Sequence, residues 1–378
     1  MPTILEDLRR AVLASQQPTP YTLFSVEAAL HAYRQLTDCL PAEVWFAVKA
    51  APLPALLSAL AHCGSGADAA SPAEVEMSLM AGVPADRISY GNPVRSPAEI
   101  EQVAALGVRT WVVDTPLEVK RLAAMAPGAR IVIRLAHSGE GADWPLSYRF
   151  GCTPHEARRL AHEADRRGLE VTGLCWHVGS QQCDLGAWDA PLADAATLWG
   201  ELEDDGIALQ LLNLGGGVPV SCYRKAAPPV EDVAGAILAA IDRHFTDRPR
   251  LVLEPGRALT AAAGATLVQV KAIADRADGR RYVFLDAGLF SLGLIETVGS
   301  AVEYRIEALD HPIEASTRPS VITGPTCDSF DTLPTTYRLP RNLRVGDRLV
   351  IWGTGAYTWP YAAQNFNGHR PAPVLLAP

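Results

Sequence analysis

The feature that most constrains the fold of this chain is a regular alternation of short β-rich runs with Ala- and Leu-rich stretches between residues 22 and 260. The β-rich runs are VWFAVKA, RISYG, TWVVD, RIVIRLA, VTGLCWHVG, LQLLNLGGG and RLVLEPG. Several of the stretches between them begin with Ser or Thr, then Pro and a later Glu, which is a helix-start pattern. Strand–helix alternation predicts a parallel sheet. About eight such units over roughly 230 residues favour a closed (β/α)8 TIM barrel, with a doubly wound open sheet as the alternative.

The pattern changes after about residue 262, where alternating apolar and polar residues recur between turns and helical spacing is almost absent. This predicts a mostly antiparallel β-domain. We therefore expect an α/β barrel domain over residues 28–261 and a β-domain over residues 262–378. The first residues, MPTILEDLRRAVLASQ, predict an amphipathic helix, and we expect segment 1–27 to pack on the β-domain.

Composition and charge exclude several classes of function. The net charge of −9 argues against a nucleic-acid partner, because phosphate backbones attract Lys and Arg. No run approaches the roughly 18 uninterrupted apolar residues of a membrane span, and no apolar signal segment is present. The seven cysteines are odd in number and form no C-x-x-C pair, which favours a reducing compartment. We expect a cytoplasmic location.

Lys49 is the first candidate catalytic residue. The chain has four lysines, and Lys49 is the one that ends an apolar strand. In a parallel barrel the C-terminal ends of the strands line the active site. A lysine at such a position loses hydration, which lowers its pKa and makes its amine a usable nucleophile. The alternative is a lysine that reaches from a strand end into solvent.

Two loops late in the barrel region have features of an anion site. LNLGGGVP places Gly215–Gly217 directly after an apolar strand, where backbone N–H groups can approach an anion closely. LVLEPGRAL places Glu254, Gly256 and Arg257 after the next strand. In barrels, phosphate often binds at the loops after the last two strands. Neither loop matches a dinucleotide or ATP motif, and a single glycine-rich turn is commonly only a turn.

Other polar residues are weaker candidates. His177 follows a strand but is commonly structural at such a position, and its spacing from neighbouring cysteines matches no usual zinc site, so we expect no metal. Asp286 lies in the apolar run FLDAGLF, where an unpaired carboxylate would be costly, so we expect a partner, and a cationic ligand is one possibility. Cys327, Asp328 and Asp331 lie together in GPTCDSFD, which could equally be a solvated loop.

Taken together, these motifs resemble the fold-type III pyridoxal-phosphate decarboxylases, the group of ornithine, lysine and diaminopimelate decarboxylases. The resemblance covers nearly the whole chain, in family order: FAVKA, DAASPAEVE, ISYGNPVRSPAEI, RFG, HVGSQ, LGGG, EPGR, DAG, GPTCDS, GAYT and FNG. It implies an alanine-racemase-like barrel followed by a β-domain, and pyridoxal 5′-phosphate (PLP) as the cofactor. It also implies a homodimer with active sites shared between subunits, a small-molecule amino-acid substrate and a role in polyamine biosynthesis.

The resemblance implies a role for each matching residue. Lys49 would carry PLP covalently, and Cys327 would return a proton to the substrate after CO2 leaves. His177 would stack on the cofactor ring, and Glu254 would bind its pyridine nitrogen. The remaining cofactor-binding residues would be Asp68, Arg134, Ser180, Gly217, Pro255, Gly256, Arg257 and Tyr357. Asp286 and Asp328 would bind the distal ammonium group of the substrate.

The residue after Cys327 bears on the choice of substrate. Diaminopimelate decarboxylases usually have Glu there, whereas Asp328 resembles the ornithine enzymes and favours ornithine or lysine. Related substrates, including diaminopimelate, stay open as alternatives, as do a catalytically silent regulatory homologue and an amino-acid racemase. The chain departs from the family pattern at four positions, which leaves room for a specialised substrate: Ala51 in place of Asn, Arg149 in place of Lys, Asn213 in place of Asp, and the bulky Trp359.

Overall fold

The structure is a computed structural model that describes residues 4–146, 149–312 and 314–378. The strands are β1 Tyr21–Phe24, β2 Glu43–Ala47, β3 Gly66–Ala69, β4 Ile88–Tyr90, β5 Thr110–Val113, β6 Arg130–Arg134, β7 Ala142–Trp144, β8 Glu170–Cys175, β9 Ser180–Gln182, β10 Leu211–Asn213, β11 Arg250–Leu253, β12 Gly264–Asp275, β13 Arg281–Leu285, β14 Arg305–Ala308, β15 Thr317–Thr323, β16 Thr332–Pro340, β17 Arg348–Trp352 and β18 Val374–Leu376. The helices are α1 Ile4–Ala14, α2 Val26–Cys39, α3 Pro54–His62, α4 Pro72–Met80, α5 Pro97–Ala105, α6 Pro116–Met125, α7 Pro154–Arg166, α8 Asp189–Asp204, α9 Val230–His244, α10 Arg257–Thr260, α11 Leu289–Leu292 and α12 Glu296–Gly299.

Eight parallel strands close into a barrel. Their order is β2–β3–β4–β5–β6–β8–β10–β11, and β11 pairs with β2 to complete the ring. Helices α3 to α9 connect these strands. The expected (β/α)8 barrel is therefore confirmed, and the open sheet is excluded because the two end strands of such a sheet would not pair with each other.

Four barrel helices begin with the same local arrangement. Each of α4, α5, α6 and α7 has Pro in its first turn, and the preceding Ser or Thr side chain accepts a hydrogen bond from the backbone N–H of a Glu three residues later. These N-caps are Ser71, Ser96, Thr115 and Thr153. A cap of this kind stabilises a helix by about 1 kcal/mol. The helix starts expected from the sequence are therefore confirmed.

Strand β3 is the barrel strand that the sequence pattern did not reveal. Its residues, GADA, are fully buried between β2 and β4. Gly, Ala and Asp are depleted in β-strands, so the segment lacks the β-branched and aromatic residues that mark its neighbours. Its place in the sheet is set by the tertiary pairing on both sides. This strand matters because it carries Asp68.

The second sheet is mostly antiparallel, as expected. Its strands run in the order β14–β17–β12–β13–β15–β16, and β1 pairs with both β12 and β18. The pairs β13–β15 and β1–β18 are parallel, and the other neighbours are antiparallel. One face of this sheet buries an apolar core that includes Val268, Val283, Ile322, Leu349 and Ile351.

The described chain divides into two compact units. One comprises residues up to Ala32, Val220–Ala226 and Leu259–Pro378, and the other comprises Tyr33–Pro219 and Ala227–Ala258. The expected boundaries, 28–261 and 262–378, stay a prediction, and residues 1–3 of segment 1–27 lie outside the described residues. Helix α1 belongs to the unit with the antiparallel sheet, where Leu8 and Val12 share an apolar cluster with β1 and β12. None of the described helices has the length and apolar character needed to cross a membrane.

Candidate active site

The candidate residues of the barrel unit lie at the C-terminal ends of its strands. Asp68 is in β3, Arg134 ends β6, and His177 follows β8 by two residues. Gly217 lies four residues after β10, and Glu254 directly follows β11. Because all eight strands are parallel, these ends share one rim of the barrel, which is the rim where TIM-barrel active sites lie. The structure therefore brings these residues to one mouth.

Lys49 and Asp68 form an ion pair at this mouth. The Lys49 Nζ atom donates to Asp68 Oδ2 at 2.8 Å, and the Lys49 side chain is about half exposed while that of Asp68 is buried. Lys49 lies in a short 3-10 turn, Val48–Ala50, just beyond β2. Asp68 has room because a Cβ atom at Gly91 would lie 1.9 Å from its Oδ1 atom. The pair holds the lysine amine at the entrance of the barrel.

His177 is held as a neutral imidazole. Its Nδ1 atom accepts a hydrogen bond from the backbone N–H of Gly179 at 2.8 Å, which assigns the ring proton to Nε2. Desolvation, followed by the charges of Arg134 and Lys49, lowers the pKa of His177 to about 3. The ring therefore presents an uncharged flat face over the whole physiological pH range.

The pKa of Glu254 is shifted in the opposite direction from that of His177. Desolvation raises its pKa to about 7, and the nearby charge of Asp68 acts in the same direction. Lys49, a hydrogen bond from Asn213 and Arg134 oppose this rise. The Asn213 Nδ2 atom donates to Glu254 Oε1 at 2.6 Å. Asn213 thus contacts Glu254 directly, which the sequence analysis did not predict, although the departure of Asn213 from the family pattern was a visible signal.

The glycine loop beside Glu254 has the character of an anion site. A Cβ atom at Gly216 would lie 2.8 Å from the Glu254 backbone oxygen and 3.5 Å from His177 Nε2, so this close approach requires glycine. Nearby in the same unit, the buried Arg257 guanidinium donates to Ser180 Oγ from Nε at 3.2 Å and from Nη2 at 3.1 Å. A fixed guanidinium beside a glycine loop is suited to a phosphate group.

The EPGR segment connects two strand ends of the mouth. The Pro255 carbonyl oxygen accepts a hydrogen bond from the Ala47 N–H at 3.1 Å, so this segment is tied to the end of β2, two residues before Lys49. Gly256 is buried and directly precedes α10. At the end of β6, the Arg134 guanidinium lies over the Phe150 ring, with its Cζ atom 5.2 Å from the ring centroid.

The other unit carries the turn with Cys327 and Asp328, both exposed. Asn367 Oδ1 accepts from the Cys327 backbone N–H at 3.2 Å and lies 3.4 Å from its Sγ atom. Asp328 Oδ1 accepts from the Phe330 N–H at 2.9 Å. Both residues line a groove of about 1260 Å³ together with residues of β13, β15 and β16. The thiol and the carboxylate therefore face an open space.

Asp331 is the buried centre of this turn. Its side chain accepts hydrogen bonds from the Leu289 N–H at 2.7 Å and from the Thr326 N–H and hydroxyl at 3.2 and 2.8 Å. A Cβ atom at Gly288 or at Gly324 would lie 2.2 Å from this carboxylate. The sequence analysis saw Asp331 only as one acid of a turn, because close approach of two glycines cannot be read from spacing.

Asp286 and Tyr357 complete the expected set, and both belong to this second unit. Asp286 accepts from the Thr19 hydroxyl at 2.6 Å and from the Gln269 N–H at 2.8 Å. Partners for the Asp286 carboxylate are therefore present within the chain, and its part in substrate binding stays a prediction. Tyr357 adopts a left-handed φ of 53° and stacks on Tyr361, with ring centroids 6.1 Å apart.

Comparisons with known proteins agree with this geometry. Residues 23–261 match the model of the pyridoxal-dependent decarboxylase family, pyridoxal binding domain. The lysine/ornithine decarboxylase of Selenomonas ruminantium is 32% identical over 369 residues, which cover 96% of this chain and 91% of that protein. Antizyme inhibitor 2 of Xenopus laevis is 28% identical and covers 99% of this chain and 84% of its own length.

A solved structure gives the same result. The lysine/ornithine decarboxylase of Vibrio vulnificus, complexed with putrescine, superposes with a TM-score of 0.87 at 27% identity and covers 98% of this chain and 97% of its own. The resemblance read from the motifs is therefore confirmed, and the chain belongs to the fold-type III pyridoxal-dependent decarboxylases.

Proposed function

We propose that this protein uses PLP to remove CO2 from ornithine or lysine and releases the corresponding diamine. The observation that carries the proposal is the combination, in one barrel mouth, of a lysine amine, a partly buried carboxylate and a glycine–arginine anion site. The relatives named lysine/ornithine decarboxylase support this choice of substrates. The structure with putrescine, a diamine, supports the product class.

The residues of the mouth fit PLP in three ways. The cofactor has an aldehyde, a basic ring nitrogen and a phosphate, and Lys49, Glu254 and the loop at Gly216 would each meet one of them. The absence of a side chain at Gly216 lets the glycine loop pack closely on the Glu254 backbone and the His177 ring, which keeps the loop next to both groups. When bound, PLP supplies an electron sink for the electron pair that remains after CO2 departs.

The remaining residues would hold the cofactor in place. His177, neutral because of its lowered pKa, would pack against the ring without repelling its positive charge. Glu254, when ionised, would accept a hydrogen bond from the ring nitrogen and keep it protonated. The phosphate would be held by Ser180, Gly217, Gly256, Arg257 and Tyr357, with Asp68, Arg134 and Pro255 shaping the surroundings.

Cys327 would provide the proton that replaces CO2 on the substrate carbon. Asn367 holds both the backbone and the thiol of this residue, which limits the directions in which the Sγ atom can point. Asp328, the next residue, would bind the distal ammonium group of the substrate. A charge-assisted hydrogen bond of this type contributes roughly 1.5–3 kcal/mol.

The active sites would form between two copies of the chain. Cys327 and Asp328 are exposed and line an open groove, so they could reach a barrel mouth of a second copy. In a two-fold symmetric dimer the same contact would occur twice, which would complete two sites. Asp286 is a weaker candidate for substrate binding, because Thr19 and Gln269 already occupy its carboxylate.

A substrate panel tests the proposal. The values of kcat/KM are measured for ornithine, lysine, diaminopimelate and norleucine, with products identified by mass. Ornithine or lysine should be best, and Asp328→Asn should lower their kcat/KM about 10- to 100-fold while norleucine changes little. Asp247→Asn, at an exposed position in the other unit, is the matched control. Diaminopimelate as the best substrate, or an unaltered ranking in Asp328→Asn, would contradict the cation site.

The similarity to an antizyme inhibitor favours one second candidate, a regulatory protein without catalysis. The presence of Lys49, Glu254 and Cys327 argues against it. A visible absorption spectrum separates the two functions. A catalytic member incubated with PLP should show a visible absorption band that dialysis does not remove. A protein that shows no such band and releases no CO2 from any amino acid of the panel would be the regulatory type.

A further inference from the structure

Asn213, Gly215 and Glu254 form a closed ring of hydrogen bonds at the barrel mouth. The Glu254 N–H donates to the Gly215 carbonyl oxygen at 2.8 Å, and the Gly215 N–H donates to Asn213 Oδ1 at 2.9 Å. Asn213 Nδ2 then donates to Glu254 Oε1 at 2.6 Å. The ring connects the end of β10, the glycine loop and the carboxylate, so the position of each depends on the other two.

The ring fixes the orientation of the Asn213 amide. The Gly215 N–H is a donor and needs the amide oxygen, so the amide NH2 group must face Glu254. An aspartate at position 213 could accept from Gly215 in the same way. It could donate to Glu254 only if it carried a proton itself, because an ionised carboxylate is solely an acceptor. The amide is therefore not equivalent to the aspartate that is common at this position in the family.

We propose that Asn213 is a positioning residue that holds the Glu254 carboxylate in its ionised form and in one orientation. This inference rests on the proposed function of Glu254 toward the ring nitrogen of PLP. Asn213 is 1% exposed, so its amide has little access to solvent as an alternative partner. A neutral donor at 2.6 Å stabilises the negative charge without adding a second charge to the mouth.

Charged and titratable groups face Glu254 from several barrel elements. Asp68 of β3 repels the ionised form, whereas Lys49 after β2 and Arg134 of β6 attract it. Cys175 of β8 also interacts with Glu254, and burial raises the pKa of that thiol, so it stays neutral at physiological pH. Asn213→Asp would place a second carboxyl group in hydrogen-bond contact with Glu254. Two carboxylates at this distance share one proton, so one pKa of the pair would rise strongly.

The decisive comparison uses Asn213→Asp and Asn92→Asp. Asn92 is a matched control because its Oδ1 atom also accepts from the N–H two residues later, at 3.1 Å, while its Nδ2 atom donates to the Ala70 carbonyl oxygen instead of a carboxylate. Asn213→Ala is the second variant, which keeps the test valid if the aspartate prevents folding. All proteins are measured with and without PLP.

Without PLP, thermal unfolding is followed from pH 5.5 to 8.5. A carboxyl pair that keeps its proton in the folded state binds more protons than the unfolded chain, so stability must fall as pH rises. We expect the melting temperature of Asn213→Asp to fall more steeply with rising pH than that of wild type. The melting temperature of Asn92→Asp should change with pH in the same way as that of wild type. Parallel curves for both variants would overturn the inference.

With PLP, both the visible spectrum and the kinetics are recorded against pH. We expect Asn213→Asp and Asn213→Ala to shift the pH midpoint of the spectrum by about one unit or more, and to lower kcat roughly 10- to 100-fold with KM little changed. Unshifted spectra and kinetics, in a wild type that binds PLP and turns over, would refute the role of Asn213 alone. A wild type that fails to bind PLP would refute the proposed function, and the unfolding curves would still decide whether Asn213 controls the charge of Glu254.

Discussion

Replacing Glu254 by Gln is expected to stabilise the cofactor-free protein at pH 8 while it disables catalysis. Desolvation holds the pKa of Glu254 at about 7 in the folded chain, compared with an ordinary value of 4.5. At roughly 1.4 kcal/mol per pKa unit, this difference corresponds to about 3 kcal/mol of unfavourable free energy when the group is ionised. Gln has a similar shape, can still accept from Asn213, and carries no charge.

The sign of the pH dependence follows from the two pKa values. Between about 4.5 and about 7 the folded protein binds more protons at Glu254 than the unfolded chain does. The free energy of unfolding therefore falls as pH rises through this window, and the loss is complete above it. In Glu254→Gln this contribution is absent, so the free energy of unfolding of the variant should rise relative to that of wild type as pH increases.

The assay is urea denaturation of the cofactor-free proteins at pH 5 and pH 8. The difference in free energy of unfolding between variant and wild type should grow by about 2–3 kcal/mol between these two values, since the other groups titrate equally in both proteins. With PLP bound, kcat should fall at least ~10²-fold, as for the loss of one electrostatic stabiliser of a transition state. Glu101→Gln, at an exposed helix position, is the control and should show neither effect. A difference that does not change with pH would refute the reasoning.

Two further predictions concern the covalent site and the assembly. Borohydride reduction of the PLP-loaded protein should label one peptide, the one that contains Lys49, because Lys49 is the lysine at the barrel mouth; labelling at Lys120 or Lys271 would contradict the assignment. Mixing inactive Lys49→Ala and Cys327→Ala chains should restore up to about a quarter of wild-type activity if the sites are shared between subunits of a symmetric dimer. Proven heterodimers without recovered activity would show that each chain completes its own site.

Most of the fold could be predicted because its signals are local. Runs such as TWVVD and the Ser/Thr–Pro–x–Glu helix starts each lie within a few residues, so they can be read directly from the sequence. Strand β3 could not be found in this way, because GADA has no β-forming residue and becomes a strand through pairing with β2 and β4. The barrel was still predictable, because the seven recognised strands and the length of the region were enough to favour it.

Candidate site residues could be singled out from the sequence where a residue type has few alternative uses. Lys49 was singled out because lysine is rare in this chain and this one follows an apolar strand, and its part in catalysis stays a prediction. For Asp286 the sequence indicated that a carboxylate in an apolar run needs a partner, but it could not reveal that Thr19 and the Gln269 backbone are partners. The contacts of Asp331 and Asn213 could not be predicted for a similar reason, since they are made with residues that are distant in the sequence.

The repeated caps at Ser71, Ser96, Thr115 and Thr153 have a consequence for how such a protein can change. Each helix start is specified within four residues, independently of the loop that precedes it. Those loops follow the C-terminal ends of the strands and so border the barrel mouth. Insertions or substitutions in these loops can alter which ligands the barrel mouth binds while the helices still begin at the same residues. New specificity can therefore arise from loop variation with little loss of stability.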